Sequence, residues 1–302
     1  MKPVQANAEQ ETYVDDTQSK EWSKYVQVTP EEAAHIARTL YRYDNIAGER
    51  VGRLDDIGEG QVTRYKDQGY VIVESVLQQS EIDTALQEID DIIQGRMAGP
   101  KVQRIKPNSE PTTPEQREFA TRKIYNYVDY APALRHIAYH EDILATVRKL
   151  LGDEPKLIDE QGLLKPPYGG GEKPWHQDMA YGGLFYKKQI VTVWIALDAA
   201  DLDNGCMHLI PRSHLAGGAP HYAIRDWQIC DHHVNVEHDV AAVIAPGGAL
   251  FFSGLLWHGT PANFSAKRRR ALQLRYAPAS SALMSKEQFQ LMFTSSMTDA
   301  EC

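Results

Sequence analysis

The sequence predicts a mainly β protein, with an antiparallel sandwich or barrel in its second half and helices in its first half. From about residue 156, short runs of β-forming apolar residues recur, separated by Gly, Pro, Asn and Asp. Short strands with frequent turn signals are typical of sandwiches and barrels. The predicted strands are KLIDEQGLLKP (156–166), QIVTVWIALD (189–198), CMHLIP (206–211), VAAVIAP (240–246), ALFFSG (249–254) and RALQLRYAP (270–278).

Helix signals dominate the first half. Thr29-Pro30-Glu31-Glu32 combines an N-cap residue, a proline suited to the first helical turn and the glutamate of a capping box. Elsewhere apolar residues recur at helical spacing, and glycines such as Gly69 and Gly95 follow the last turn. The predicted helices cover 30–43, 60–69, 80–95, 132–139 and 141–151, with short strands after Gly69 and over 122–130.

Two polar segments lie outside this pattern. Residues 1–28 are rich in Gln, Glu, Asp and Lys and predict a disordered arm or a surface helix. Residues 97–116 are polar and Pro-rich, so they predict a long loop placed to cover a site. We expect an extension over 1–57 and one catalytic domain over 58–302, whose β core spans about 156–278.

Composition excludes several classes of function. The 302 residues carry a formal net charge of -9, which argues against binding to nucleic acid through a basic surface. No run of about 18 apolar residues occurs, so no membrane span is predicted, and the polar start predicts no signal peptide. Three cysteines without CxxC spacing argue against a disulfide scaffold or a thiolate zinc site and favour a cytoplasmic location. No pattern indicates an oligomeric state.

The sharpest local feature is Trp175-His176-Gln177-Asp178. In an extended segment, residues i and i+2 point to one face, so His176 and Asp178 can present a nitrogen and an oxygen to one ion. His258, on a later β-rich segment, can supply a third ligand. Two histidines and one carboxylate with open positions are the pattern of non-haem Fe(II) oxygenases. A surface His–Asp hydrogen bond is the alternative interpretation of the HxD pair alone.

The basic run 267–270 strengthens the metal hypothesis. Strand alternation places Arg269 on one face with Gln273 and Arg275, while Leu272 lies on the other. The ligand-holding face of a barrel is the more polar one, so we expect Arg269 and Arg275 to point inward. A guanidinium binds a carboxylate through two parallel hydrogen bonds, so Arg269 suits the distal carboxylate of a 2-oxo acid.

These segments together resemble the phytanoyl-CoA dioxygenase family of Fe(II)/2-oxoglutarate-dependent oxygenases. The resemblance covers about residues 58–278 and implies a double-stranded β-helix core flanked by N-terminal helices. It implies Fe(II), 2-oxoglutarate and O2 as cofactors and cosubstrates. The matching motifs are LLKPP (163–167), WHQD (175–178), VTVWIALDAADLDNGCMHLIPRSH (191–214), PGGALFFSGLLWHGTPAN (246–263) and RRRALQLRYA (268–277).

The resemblance also implies roles for single residues. His176, Asp178 and His258 match the iron ligands, and Arg269 matches the arginine that pairs with the C5 carboxylate of 2-oxoglutarate. Halogenating relatives replace the carboxylate ligand with a small residue, so the presence of Asp178 favours hydroxylation or another oxidation. Four further positions match cosubstrate contacts in some members: Thr260, Trp194, Gln177 and Lys123.

The expected function is therefore oxidation, most simply hydroxylation, of a C–H bond in a small-molecule metabolite, with succinate and CO2 as coproducts. Three alternatives remain: a zinc hydrolase or lyase that uses the same triad, a non-catalytic β-barrel binding protein, and an oxygenase that acts on protein side chains. Segments 1–57, 96–118 and 215–239 are poorly covered by the resemblance and are where substrate specificity is expected.

Overall fold

The structure, a computed structural model, describes residues 28–105, 110–181, 185–294 and 302. Within these ranges the helices are α1 (Pro30–Leu40), α2 (Glu59–Gln68), α3 (Gln79–Ile93), α4 (Pro114–Ala120), α5 (Pro132–Ala138), α6 (Glu141–Leu151) and α7 (Lys286–Phe293). The strands are β1 (Arg50–Arg53), β2 (Tyr70–Ser75), β3 (Lys101–Arg104), β4 (Thr121–Tyr125), β5 (Pro155–Lys165), β6 (Lys173–His176), β7 (Val191–Ala196), β8 (Met207–Leu209), β9 (His221–Ala223), β10 (Trp227–Ile229), β11 (Val240–Ala242), β12 (Ala249–Ser253), β13 (His258–Thr260) and β14 (Arg269–Pro278).

Two sheets form the core. Eight strands lie in the order β1-β2-β12-β7-β14-β5-β4-β3, and four lie in the order β11-β8-β13-β6. The long strands β14 and β5 pair antiparallel along their whole length, and β14 also pairs antiparallel with β7. This mainly β core with flanking helices confirms the predicted double-stranded β-helix.

Side-chain alternation divides the larger sheet between two hydrophobic cores. One face, represented by Phe251, packs with the helices through residues such as Ile89 of α3. The opposite face, represented by Leu250 and Trp194, packs with the four-stranded sheet through residues such as Leu209. Adjacent residues of β12 therefore belong to different cores, as expected for a strand whose side chains point alternately to opposite faces. The polar site residues lie on the inner face, between the two sheets.

The first helix begins where the sequence predicts but ends earlier. Thr29 and Glu32 form the expected reciprocal capping box at the start of α1. The helix stops at Leu40 because Tyr41 adopts extended backbone angles and its ring stacks on Trp175 at 5.3 Å. This contact ties the helix to the strand that carries His176.

The segment 97–116 is not the continuous loop that its composition predicts. β3 pairs antiparallel with β4 at the edge of the larger sheet, and α4 starts at a capping box formed by Thr113 and Gln116. An edge strand has one neighbouring strand and exposed side chains, so it can consist of polar residues. Such a strand lacks the alternation of apolar residues from which a strand is predicted. Residues 106–109 of this segment, and residues 1–27 of the predicted arm, lie outside the described residues.

Part of the predicted N-terminal extension belongs to the core. β1 pairs in parallel with β2, and Ile46 forms an isolated bridge with Ala241 of the smaller sheet. Within the described residues, the strands β1 to β4 of the larger sheet all precede residue 156, where the predicted β core begins. The domain boundary at residue 58 stays a prediction.

A disulfide joins Cys230 to Cys302, while Cys206 is a free, buried cysteine. The spacing of the three cysteines argued against a disulfide scaffold, and this single bond was not predicted from the sequence. Because disulfides are rare in a reducing compartment, this bond means that the cysteines no longer favour the cytoplasm, and the cytoplasmic location stays a prediction. Among the described residues, no helix is long and apolar enough to cross a bilayer.

Gly69 is required both by its backbone and by its surroundings. It has φ +87°, and an added Cβ would lie 2.5 Å from Nδ1 of His214 and 2.7 Å from Leu256, shortly before His258 in the chain. Gly95 has φ +73°, and a Cβ added there would have no atom within 4 Å.

We expect Gly95→Ala to lower the free energy of unfolding by about 1–2 kcal/mol, the cost of the left-handed backbone. Gly69→Ala should lose about 1–3 kcal/mol more, because the new methyl group overpacks the site. Urea unfolding measures both, and equal losses would contradict the steric argument.

Candidate active site

The three predicted metal ligands converge at one buried point. His176 ends β6, His258 begins β13, and the two residues are direct antiparallel partners. Asp178 follows β6 on a short 3₁₀ turn. Its Oδ1 lies 3.8 Å from Nε2 of His176 and 3.7 Å from Nε2 of His258. The three side chains are buried, and their donor atoms lie within 4.8 Å of one another, so a single divalent ion can contact all three.

Both imidazoles are oriented by backbone carbonyls. Nδ1 of His176 lies 2.7 Å from the Pro174 oxygen, and Nδ1 of His258 lies 2.8 Å from the Leu256 oxygen. In each ring Nδ1–H donates, which leaves the Nε2 lone pair directed at the common point. Burial lowers the pKa of both histidines, for His176 well below its usual range, and the nearby His258 ring lowers the pKa of His176 further. Neutral imidazoles are the form that binds a metal.

The Asp178 carboxylate is held on both oxygens. Oγ1 of Thr192 donates to Oδ2 at 2.6 Å, and Nη2 of Arg275 donates to Oδ1 at 2.7 Å. Burial alone would raise the pKa of Asp178, but the charge of Arg275 and these hydrogen bonds hold that pKa well below its usual range. Asp178 is therefore a fixed anion facing the two imidazoles.

A second polar group lies further along the inner face. Arg269 is 3% exposed, and its Nε and Nη1 have no partner; the same holds for Oγ1 of Thr260 and Nε1 of Trp194. The Arg269 guanidinium lies 5.4 Å from the Trp194 ring centre. Burial lowers the pKa of Arg269 to about 10, so it is a cation at neutral pH. The unused nitrogens of this buried cation, with the unused N–H of Trp194 beside it, fit the carboxylate of a bound ligand.

The structure confirms that Arg269 and Arg275 point inward, since each is buried on the face expected from strand alternation. Lys123 lies on β4 of the same sheet, and its Nζ donates to Oε1 of Gln161 at 3.2 Å. Burial and the nearby charge of Lys173 lower the pKa of Lys123 well below its usual range.

The Gln177 side chain hydrogen-bonds to the backbone of two other segments. Its Nε2 donates to the carbonyl oxygens of Gly217 and Leu255, and its Oε1 accepts from the Ala219 amide. Both amide hydrogens are thereby used, so Gln177 supports the site through the segments that it ties together. Thr192, which contacts Asp178, and Asp159, which contacts Arg275, are not among the residues predicted from the sequence. Strand alternation with Trp194 is the signal that places Thr192 on the inner face.

Two further groups of potential metal ligands occur among the described residues. Glu81, His136 and His140 form one, and Cys230, His232 and His233 form the other. The first includes an exposed histidine, and in the second the cysteine is committed to its disulfide. Of these three groups, only that of His176, Asp178 and His258 is fully buried and oriented.

In this double-stranded β-helix, two imidazoles and one carboxylate converge at a buried point, and a buried guanidinium with unused donors lies on the same inner face. This combination defines the class of non-haem Fe(II) oxygenases that use a 2-oxo acid. The profile of phytanoyl-CoA dioxygenase (PhyH) matches residues 65–271, more than half of the chain. The chain belongs to the phytanoyl-CoA dioxygenase family.

Two relatives illustrate the range of this similarity. A probable phytanoyl-CoA dioxygenase of Caenorhabditis elegans is 25% identical over 234 residues, covering 70% of this chain and 73% of the relative. A probable alpha-ketoglutarate-dependent hypophosphite dioxygenase of Stutzerimonas stutzeri is 26% identical over 234 residues, covering 72% of this chain and 78% of the relative.

Solved structures share the fold. The crystal structure of EvdO2 from Micromonospora carbonacea var. aurantiaca, complexed with 2-oxoglutarate, has a TM-score of 0.61 at 23% identity and covers 80% of this chain and 96% of that one. The alpha-ketoglutarate-dependent carbocyclase SnoK from nogalamycin biosynthesis has a TM-score of 0.59 at 20% identity, with coverages of 78% and 89%. The protein is thus a dioxygenase dependent on Fe(II), 2-oxoglutarate and O2, as the resemblance implied.

Proposed function

We propose that the protein oxidises a C–H bond of a small-molecule metabolite, most simply by hydroxylation, and that His176, Asp178 and His258 hold the Fe(II). The supporting observation is the combination of three oriented donors with the buried, unpartnered Arg269. When bound, Fe(II) and 2-oxoglutarate supply the oxidising chemistry: one atom of O2 enters succinate, formed with loss of CO2, and the other enters the substrate.

Arg269 and Thr260 would hold the C5 carboxylate of 2-oxoglutarate. The arginine offers two unused nitrogens, and the threonine offers an unused hydroxyl, all in a buried setting where charge-assisted hydrogen bonds are strong. Trp194 closes one side of this pocket and offers its indole N–H. Lys123 would supply a further polar contact at the cosubstrate. Gln177 would keep the HxD turn in place by holding residues 217–219 and 255.

Segment 215–239 would form part of the substrate wall. The Tyr181 ring lies edge-on to His176 at 5.4 Å, and its hydroxyl donates to the Trp227 carbonyl at 2.7 Å. Asp226 accepts from Lys173 at 2.7 Å and pairs with Arg122 at 3.3 Å. These contacts support a position of the segment beside the proposed metal ligands, where it would exclude water and select the substrate.

Substrate-dependent turnover tests the proposed function. Purified protein is mixed anaerobically with Fe(II) and 2-oxoglutarate, and a weak visible charge-transfer band is expected on formation of the complex. After addition of O2, a panel of small metabolites is screened for stimulated succinate formation, and products are read by mass spectrometry. A product that gains one oxygen atom is expected. A product that loses two hydrogens would overturn hydroxylation, and absence of both ligand binding and succinate would overturn the whole proposal.

A further inference from the structure

A row of side chains lies beneath Asp178 on the inner face of the larger sheet. Arg275 of β14 is the direct partner of Thr192 on β7 and of Asp159 on β5. The register of three neighbouring strands therefore places a hydroxyl, a guanidinium and a carboxylate side by side. The pairing between β14 and β5 shifts its register directly after Arg275.

The row contacts Asp178 at both oxygens. Thr192 donates to Oδ2 at 2.6 Å, and Arg275 donates to Oδ1 at 2.7 Å. Oδ1 is also the oxygen near Nε2 of both histidines, so Arg275 binds the atom that faces the metal position. These are the two short hydrogen bonds of the carboxylate, while Gln273 lies 3.5 Å from both oxygens, so rotation of the carboxylate would break at least one short bond.

Arg275 is fixed from its other side. Its Nη1 donates to Oδ2 of Asp159, which also accepts from Nε2 of Gln161 at 3.1 Å. Asp178 and Arg275 are buried, and the Asp159 side chain is 28% exposed. Two carboxylates on one guanidinium carry a net charge of -1, so the group still attracts a divalent cation. If an uncharged residue replaced Asp159, Arg275 would cancel the charge of Asp178.

We propose that Arg275 is a positioning residue of the metal site, which sets the orientation of the Asp178 carboxylate, and that Asp159 anchors Arg275 and keeps the group of three at a net charge of -1. This inference rests on the proposed metal site. Residues that orient metal ligands from behind contribute about 10- to 100-fold to metal affinity. Arg275 performs this orientation without touching the metal.

Co(II) binding to the anaerobic full-length protein tests the inference without turnover, read by titration and by the visible d–d spectrum. Asp159→Asn keeps the size of the side chain and removes its charge, and we expect it to raise the Co(II) Kd by about 10- to 100-fold. The double variant Asp159→Asn with Arg275→Gln returns the group to a net charge of -1 but lacks the positioning residue. We expect its Kd to stay at least about tenfold above that of the wild type, with an altered d–d spectrum.

A matched control lies on the same strand. Arg270 pairs with Asp198 through two hydrogen bonds of 2.8 Å on the opposite face, and Arg270→Gln should leave Co(II) affinity and spectrum unchanged. Arg275→Lys retains the charge and should bind Co(II) better than the double variant, which provides a test if that variant does not fold.

Wild-type affinity in the double variant would show that only net charge matters and would overturn the positioning role. Wild-type affinity in Asp159→Asn would overturn the anchoring role. A wild-type protein that binds no Co(II) would overturn the proposed metal site together with this inference, whereas normal wild-type binding with unaltered variants would overturn this inference alone.

Discussion

Replacing His258 by alanine is expected to abolish O2-dependent succinate formation and to lower Fe(II) affinity by more than two orders of magnitude. Groups that only orient a ligand contribute about 10- to 100-fold to metal affinity, so loss of a ligand itself costs more. The Nε2 of His258 lies 3.7 Å from Oδ1 of Asp178, and among the described residues His176 is the only other imidazole of this group. Anaerobic Fe(II) titration and a succinate assay measure the two effects, and His176→Ala should behave in the same way.

The matched control is a histidine from another potential metal group. His136 lies with Glu81 and His140, is exposed, and contacts none of the three proposed ligands. His136→Ala should retain Fe(II) binding and activity. Stoichiometric Fe(II) binding by His258→Ala, or its loss in His136→Ala, would place the metal elsewhere.

Arg269→Met should raise the Kd for 2-oxoglutarate by about 30-fold or more and leave Fe(II) affinity unchanged. Removing one partner of a buried charge pair costs about 2–5 kcal/mol, and tenfold corresponds to about 1.4 kcal/mol. Without ligand, Nε and Nη1 of Arg269 are buried and unpartnered. The variant without ligand should therefore be at least as stable as the wild type, because it loses groups that each cost about 1–3 kcal/mol when unsatisfied.

Two measurements separate this role from a structural one. In the wild type, excess 2-oxoglutarate with Fe(II) should raise the melting temperature through linkage, and Arg269→Met should lose this increase. The neighbouring Arg268 pairs with Glu118 at 2.7 Å on the outer face, and Arg268→Gln should bind 2-oxoglutarate as the wild type does. Equal weakening by both substitutions would contradict a specific carboxylate contact at Arg269.

Local sequence patterns predicted the three metal ligands and the two arginines that point inward. HxD followed by a distant histidine specifies donor atoms, and alternation along β14 specifies which arginines share a face. Both features depend on neighbours in the chain and on the period of a strand. The same reasoning failed at β3, because a polar edge strand needs only one hydrogen-bonded neighbour, on β4, and buries little apolar surface.

Contacts between distant strands could not be predicted in this way. Thr192, Arg275 and Asp159 form one row only because β7, β14 and β5 are neighbours in a particular register. The disulfide between Cys230 and Cys302 likewise depends on where the last residue of the chain is placed. A shift of one residue in either strand pairing would turn the row away from Asp178.

Residue types and short spacings establish the chemistry available to this protein: two imidazoles, a carboxylate and a guanidinium on strands of a β-helix. The folded arrangement establishes which polar groups hold the carboxylate, which donors are left unpartnered for a dicarboxylic cosubstrate, and how the N-terminal strands complete the sheet. This division arises because residue type and local periodicity act over a few residues, whereas burial and hydrogen bonding at the site are set by strand register and by packing between segments far apart in the chain.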